Sequence, residues 1–161
     1  MDIFAYAKNM EKDGELYYRE LATKNKANPG VQRIMNMLAD EEVKHYKIIS
    51  EMETGTPESL DTDVLTEAKN VFVRMNEDGE RLDKEAAQVD MYRKAQEVEK
   101  QSWEFYEKCA HDASDEKQKS IFDQLAKEER KHYFLLDNVV EFVARPEQWL
   151  ENAEWHHLEQ Y

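Results

Sequence analysis

Two stretches of this chain place a carboxylate and an imidazole where they could act together. Leu38-Ala39-Asp40-Glu41-Glu42-Val43-Lys44-His45-Tyr46 returns as Leu125-Ala126-Lys127-Glu128-Glu129-Arg130-Lys131-His132-Tyr133, an internal repeat of the kind that shapes a whole fold. In each copy a Glu precedes a His by three positions, and residues three apart share a helix face. Glu42 with His45, and Glu129 with His132, are therefore paired oxygen and nitrogen donors. Glu154-Trp155-His156-His157 also fits the spacing, but spacing alone arises by chance. What sets the repeated pairs apart is that they interrupt apolar stripes. One stripe runs Val31, Ile34, Leu38, Glu42, His45, Ile49, Met52, and the other Gln118, Ile121, Leu125, Glu129, His132, Leu136, Val139. Glu41 and Glu128 fall off these stripes and are expected in solvent.

The elements that must hold these pairs read as helices throughout, with no strand alternation. A first segment, about residues 2 to 26, has the stripe Phe4, Ala7, Glu11, Gly14, Tyr18, Leu21. Asn28 and Pro29 read as an N-cap and first helical residue, opening a second helix that runs to about Met52. A long connection, roughly 54 to 86, carries Val64, Leu65, Ala68, Val71, Phe72 and Met75 at helical spacing until Asn76-Glu77-Asp78-Gly79. This predicts a short amphipathic helix packed on the bundle or on a second subunit. The third segment, about 87 to 113, repeats the first with Tyr92, Ala95, Glu99, Ser102, Tyr106, Cys109. Ser114 reads as the N-cap of a fourth helix reaching about Ala144, and Pro146 opens a tail with Trp149, Leu150, Trp155 and Leu158. The expected fold is all-α: two helical hairpins joined by a long crossover, the ferritin-like form of the four-helix bundle. It is expected to span residues 1–145, with 146–161 as a tail making a packing or oligomer contact.

One layer of that bundle is polar, formed by Glu11, Glu42, His45, Glu99, Glu129 and His132. Four ionised carboxylates cannot remain unpaired in an apolar core, because desolvating even one costs several kcal/mol. No Lys or Arg lies on the stripes at this level, which leaves protonation or a metal, and the neighbouring imidazoles favour metal. Two divalent ions would balance the four carboxylates, two Glu bridging them and the others, with one His each, closing the ends. Oxygen with imidazole nitrogen suits iron or manganese and also accepts zinc. Tyr18 and Tyr106 are expected to be core aromatics whose hydroxyls bond to a nearby carboxylate. Cys109 reads as a small buried hydrophobe, His111 as a surface residue, and His156 and His157 as tail residues rather than ligands.

Composition bounds the partners. The 161 residues suit one domain, and a net charge of −14 disfavours nucleic acid and anionic membranes. One cysteine excludes an intrachain disulfide and any CxxC electron-transfer centre on this chain. The first residues lack the basic and apolar regions of a signal peptide, and no apolar run approaches membrane-spanning length, so a cytoplasmic protein is expected.

One Glu on each of two helices plus Glu-x-x-His on each of the other two resembles the ferritin-like di-iron carboxylate proteins. Within them the chain is most similar to the rubrerythrin-related branch: Glu11-Lys12 with Tyr17-Tyr18, Leu38-Ala39 leading to Glu41-Glu42 and His45, then both patterns again, over about residues 3 to 144. The resemblance implies two iron ions per chain, with manganese or zinc as substitutes in isolated protein, held by the six matching residues and reacting with hydrogen peroxide or dioxygen. Rubrerythrins proper end in a rubredoxin domain with paired CxxC ligands; none is present here, so electrons would come from a separate rubredoxin-type protein. They also carry a further Glu one turn after the helix-three ligand. Ser102 stands there, mirrored by Gly14, which argues against a ligand-switching cycle and leaves room beside the metals for a small oxidant. The expected protein is thus a di-iron oxidoreductase or peroxidase, with a ferritin-type ferroxidase or iron-storage role and a non-catalytic metal-filled bundle as alternatives. A homo-oligomer, in the first instance a dimer, is expected.

Overall fold

The computed structural model describes residues 2–55, 64–79, 82–83 and 89–151, the side chains of 147, 148 and 151 excepted. These residues form six helices: α1 (Ile3–Lys24), α2 (Pro29–Thr54), α3 (Val64–Asp78), α4 (Val89–Asp112), α5 (Glu116–Ala144) and α6 (Pro146–Glu151). Among the described residues there is no strand, so the expected all-α, ferritin-like architecture is the observed one. The most extensive packing is α1 on α2 and α4 on α5, the two hairpins, while α3 in the crossover lies against α2 and α5.

Two of the helices start on a side chain that satisfies free amides of the first turn. Asp2 accepts from Phe4 N at 3.0 Å and Ala5 N at 3.2 Å, opening α1. At α5 the capping side chain is Asp115, which accepts from Lys117 N at 2.9 Å, and not the expected Ser114. Asn28 occupies the cap position of α2, yet its side chain makes no capping bond. Its amide instead pairs with the backbone of Asp83, accepting from the N–H at 2.6 Å and donating to the C=O at 3.0 Å. The expected cap is thus a tether that pins the crossover to the first hairpin. Past α3 the chain turns at Gly79, whose φ of 63° lies in the left-handed region that glycine enters without strain.

The apolar side chains gather in two clusters, one at each end of the bundle. One joins Leu21, Ile34, Leu38, Ala95, Leu135 and Val139 to the buried face of α3. The other joins Ala7, Ile49, Met52, Tyr106, Phe122 and Leu125. Each fully buried Leu, Ile or Phe contributes roughly 1.5–3 kcal/mol of transfer free energy, so both ends are strongly clamped. Phe72 of α3 meets Phe142 of α5 and Trp149 of α6 edge-on, with ring centroids 5.6 Å and 5.7 Å away. This is the packing role expected of the first tail residues; Trp155, His156, His157 and Leu158 lie outside the described residues. Between the two clusters every helix of the four-helix core passes through the polar layer.

Candidate metal centre

Helical register alone brings the six residues to one level. Glu11 sits one turn beyond Ala7, Glu42 one turn beyond Leu38, Glu99 one turn beyond Ala95 and Glu129 one turn beyond Leu125, and all four carboxylates and both imidazoles are buried. The His45 Nδ1 lies 2.9 Å from Glu129 Oε1 and 3.4 Å from Glu11 Oε2. The His132 Nδ1 lies 3.2 Å from Glu42 Oε1 and 3.5 Å from both Glu99 Oε1 and Glu129 Oε2. The two rings are parallel, 3° apart in plane with centroids 5.3 Å apart. Each hairpin's imidazole thus meets the other hairpin's Glu-x-x-His carboxylate, so the repeat in sequence is matched by a reciprocal arrangement in space.

Two four-residue groups result, each with one donor atom per residue and all four atoms within 4.8 Å of one another: Glu11, Glu42, His45, Glu129, and Glu42, Glu99, Glu129, His132. Glu42 and Glu129 belong to both. Glu11 Oε2, Glu99 Oε2 and Glu129 Oε2 are buried and make no hydrogen bond among the described residues, although buried polar atoms are nearly always paired. Carboxylate oxygen and imidazole nitrogen in this crowded arrangement fit a pair of divalent cations such as iron, manganese or zinc.

The charges within the layer are shared unevenly. Burial raises the pKa of Glu42, and the Glu11 and Glu99 charges drive it further, well above the carboxylate range. Glu129 is raised well above that range by burial and by Glu11, Glu42 and Glu99. Burial also acts to raise Glu11, but the His45 charge, the closeness of Glu42 and the Tyr106 hydrogen bond outweigh it and bring Glu11 to about 2. Glu99 is lowered too, burial being overcome by the closeness of Glu129, the His132 charge and the Tyr18 hydrogen bond. Burial lowers both imidazoles, yet Glu11 leaves His45 raised, and Glu99 with Glu129 holds His132 at about 10. The two shared carboxylates and the imidazoles therefore retain protons that a cation would displace.

Tyr18 donates its hydroxyl hydrogen bond to Glu99, and Tyr106 donates to Glu11, so each hairpin's Tyr holds the other hairpin's lone Glu, as expected of these aromatics. Beside this layer a cavity of about 170 Å³ opens between α1 and α4. Glu42, Glu99 and Tyr18 line it together with Gly14, Ala95 and Ser102, and Met10, Tyr17 and Val98 supply apolar wall. A Cβ on Gly14 would stand 3.2 Å from Glu42 Oε2, closer than most real contacts. The expected room beside the carboxylates is present, and it is kept by the two small residues.

Two residues contradict the sequence reading. Glu41 and Glu128, expected in solvent, are only 2% and 3% exposed. Lys44 Nζ reaches Glu41 Oε1 at 2.9 Å and Lys131 Nζ reaches Glu128 Oε1 at 2.8 Å. Glu41 lies three residues after Leu38 and four before His45, and Glu128 stands likewise to Leu125 and His132. Both therefore keep helical spacing with the buried face, a signal obscured by tracing one stripe through their neighbours. Cys109 is buried within an apolar cluster, as expected, and burial pushes its thiol up to about 11. His111 is exposed beside Asp112. No helix among the described residues is long and apolar enough to cross a membrane.

A sequence-family profile described as rubrerythrin matches residues 2–140. No curated protein and no solved structure matches the chain.

Proposed function

The chain belongs to the rubrerythrin family, and on that premise we propose that it is a non-haem di-iron oxidoreductase reducing hydrogen peroxide, or dioxygen, with electrons from a separate rubredoxin-type donor. The observation that carries this reading is the pair of donor groups sharing Glu42 and Glu129. Glu42 and Glu129 would each serve both ions, with Glu11 and His45 completing one position and Glu99 and His132 the other. A bound ferrous pair supplies the two electrons needed to cleave an O–O bond, chemistry that no side chain here performs.

The chain's own residues supply geometry, charge and access. With cations bound in place of those protons, His45 and His132 would present Nδ1 as neutral donors, and the four carboxylates would balance two divalent ions. Tyr18 and Tyr106 remain protonated, because burial and the carboxylates they bind raise both well above the ordinary phenol range. Their hydroxyls therefore fix Glu99 and Glu11 and do not compete as anions. The Ser102 hydroxyl donates to the Val98 carbonyl at 2.9 Å, so its proton is engaged by the backbone of its own helix. A cavity of about 170 Å³ far exceeds the roughly 10–15 Å³ of comparable volume that one water needs, so a peroxide enters without displacing a helix.

The test is anaerobic loading with ferrous iron followed by stopped-flow mixing with peroxide and, separately, with air-saturated buffer. The expected result is two irons per chain and one peroxide consumed per two irons oxidised, H₂O₂ taking two electrons and two protons to give two waters, faster than the reaction with air. Iron below about one per chain would overturn the metal assignment. A faster reaction with air that ends in mineral growth would replace the peroxidase with an iron-storage role.

A further inference from the structure

Each imidazole in the polar layer has two nitrogens, and the Nδ1 atoms already face the central carboxylates. The remaining nitrogens, His45 Nε2 and His132 Nε2, are buried and make no hydrogen bond among the described residues, and Glu41 Oε2 is in the same condition. One donor or acceptor atom from each of Glu41, His45, Glu128 and His132 lies within 4.8 Å of the other three. These four residues belong to α2 and α5 alone, so they form a second, outer group behind the rings.

We propose that Glu41 and Glu128 are positioning residues that accept the Nε2 protons of the two imidazoles, crosswise between hairpins, His45 to Glu128 and His132 to Glu41. The proposal rests on the di-iron reading above and adds to it the groups that fix the rings. When Nδ1 gives its lone pair to a cation, a neutral imidazole must carry its proton on Nε2, and that N–H is then a donor inside the protein. A carboxylate in that place sets the tautomer, holds the ring plane and strengthens the nitrogen as a donor. The crossing follows the reciprocal pattern already present, since the Nδ1 contacts to Glu129 and Glu42 also cross between hairpins. The Glu128 charge also bears on His45.

A third cation in the outer group fits the chemistry less well. It would need both nitrogens of each ring stripped of protons. Glu41 and Glu128 also have one oxygen each engaged by a lysine already. Those lysines settle the charge: each Glu–Lys pair is neutral overall, so it polarises an N–H without adding to the four negative charges of the layer. They also account for the repeated Glu-Glu-x-Lys-His. Glu42 and Glu129 face the ions, Glu41 and Glu128 face the rings, and Lys44 and Lys131 neutralise the latter.

The test uses zinc as a diamagnetic probe and needs no turnover. In zinc-loaded protein, proton NMR should show two downfield imidazole N–H signals that exchange slowly with water. Glu41→Leu should remove the His132 signal and Glu128→Leu the His45 signal, each weakening zinc binding about 10–100-fold, the usual cost of losing such a partner. Glu41→Gln and Glu128→Gln, which keep an acceptor oxygen, should restore the signals with affinity between the two, and they serve as the test if a Leu variant fails to fold. Both signals and the affinity unchanged in the variants would overturn the proposal while leaving the di-iron reading intact. A wild-type chain that binds no zinc would overturn both.

Discussion

The sharing of Glu42 and Glu129 between two donor groups predicts that the four carboxylates are not equivalent. Replacing Glu11 with Gln removes one charge from the group Glu11, Glu42, His45, Glu129 and leaves Glu42, Glu99, Glu129, His132 complete. Replacing Glu42 with Gln damages both. A unit charge about 4 Å from another at an effective dielectric of 20 is worth roughly 4 kcal/mol, hence about 8 against a divalent ion. Relief from burying that carboxylate returns several kcal/mol. The net loss of about 3–4 kcal/mol is a factor of roughly 10²–10³ in affinity. Anaerobic titration with ferrous iron and elemental analysis after desalting should therefore find wild type holding two ions per chain. Glu11→Gln and Glu99→Gln should retain about one, and Glu42→Gln and Glu129→Gln close to none. Equal losses in all four variants would refute the shared assignment. Near-complete loss in Glu11→Gln with retention in Glu42→Gln would reverse it.

Three further outcomes follow from the same geometry. Ser102→Leu should fill the cavity beside Glu42 and Glu99 and slow peroxide turnover on the order of 10–100-fold, the scale of a misplacement of about 1 Å, with iron content retained; unchanged turnover would move the entry route elsewhere. Tyr18→Phe and Tyr106→Phe each remove one hydrogen bond to a carboxylate, worth about 1.5–3 kcal/mol. Iron binding should weaken by roughly 10–150-fold; abolished turnover at unchanged affinity would assign these tyrosines an electron-transfer role instead. In metal-free protein, His132 lies at about 10 against an ordinary 6.5, so its contribution is complete below about pH 6.5 and disappears as pH rises through about 10. Raised Glu42 and Glu129 act in the same direction. The melting temperature of metal-free protein should therefore fall between pH 7 and 10 while that of the loaded protein stays level, and a flat metal-free profile would contradict the proton-holding layer.

The hairpins and the six converging residues were legible because one signal, helical periodicity written twice, fixes both the helices and the level at which each stripe turns polar. The buried Glu41 and Glu128 were not. A single line of three- and four-residue steps describes a narrow face, whereas a helix packed between a hairpin partner and the opposite hairpin buries a wider arc. Glu41 lies on the far edge of that arc, reached from Leu38 by a step of three as readily as Glu42 is by a step of four. Its lysine partner was in view at Lys44, but an i,i+3 charge pair ordinarily marks a solvated surface. Asn28 illustrates a different limit. Local rules place it correctly at the start of α2, and only tertiary structure reveals that its amide is engaged by Asp83 on the crossover. For Ser114 and Asp115, adjacent residues of equal capping ability, spacing cannot choose, and the carboxylate that reaches the Lys117 amide decides.

The two sides of the polar layer differ in build. Both imidazoles and the Glu41 and Glu128 carboxylates lie on α2 and α5, against which α3 also packs. The Glu67 charge on α3 even acts on Lys44, placing the crossover helix near that face. The cavity lies on the other side, between α1 and α4, where Gly14 and Ser102 replace bulk with space. On the proposed reading, a covered side holding nitrogen donors and an open side bounded by oxygen donors would set the direction of approach: an oxidant would come to Glu42 and Glu99 from the cavity, away from the rings. Neither hairpin completes a donor group by itself, since each group takes at least one residue from the other hairpin. Cations held there must therefore draw α1–α2 and α4–α5 together, and the same ions that would do the chemistry would also close the middle of the bundle, where the two apolar clusters do not meet.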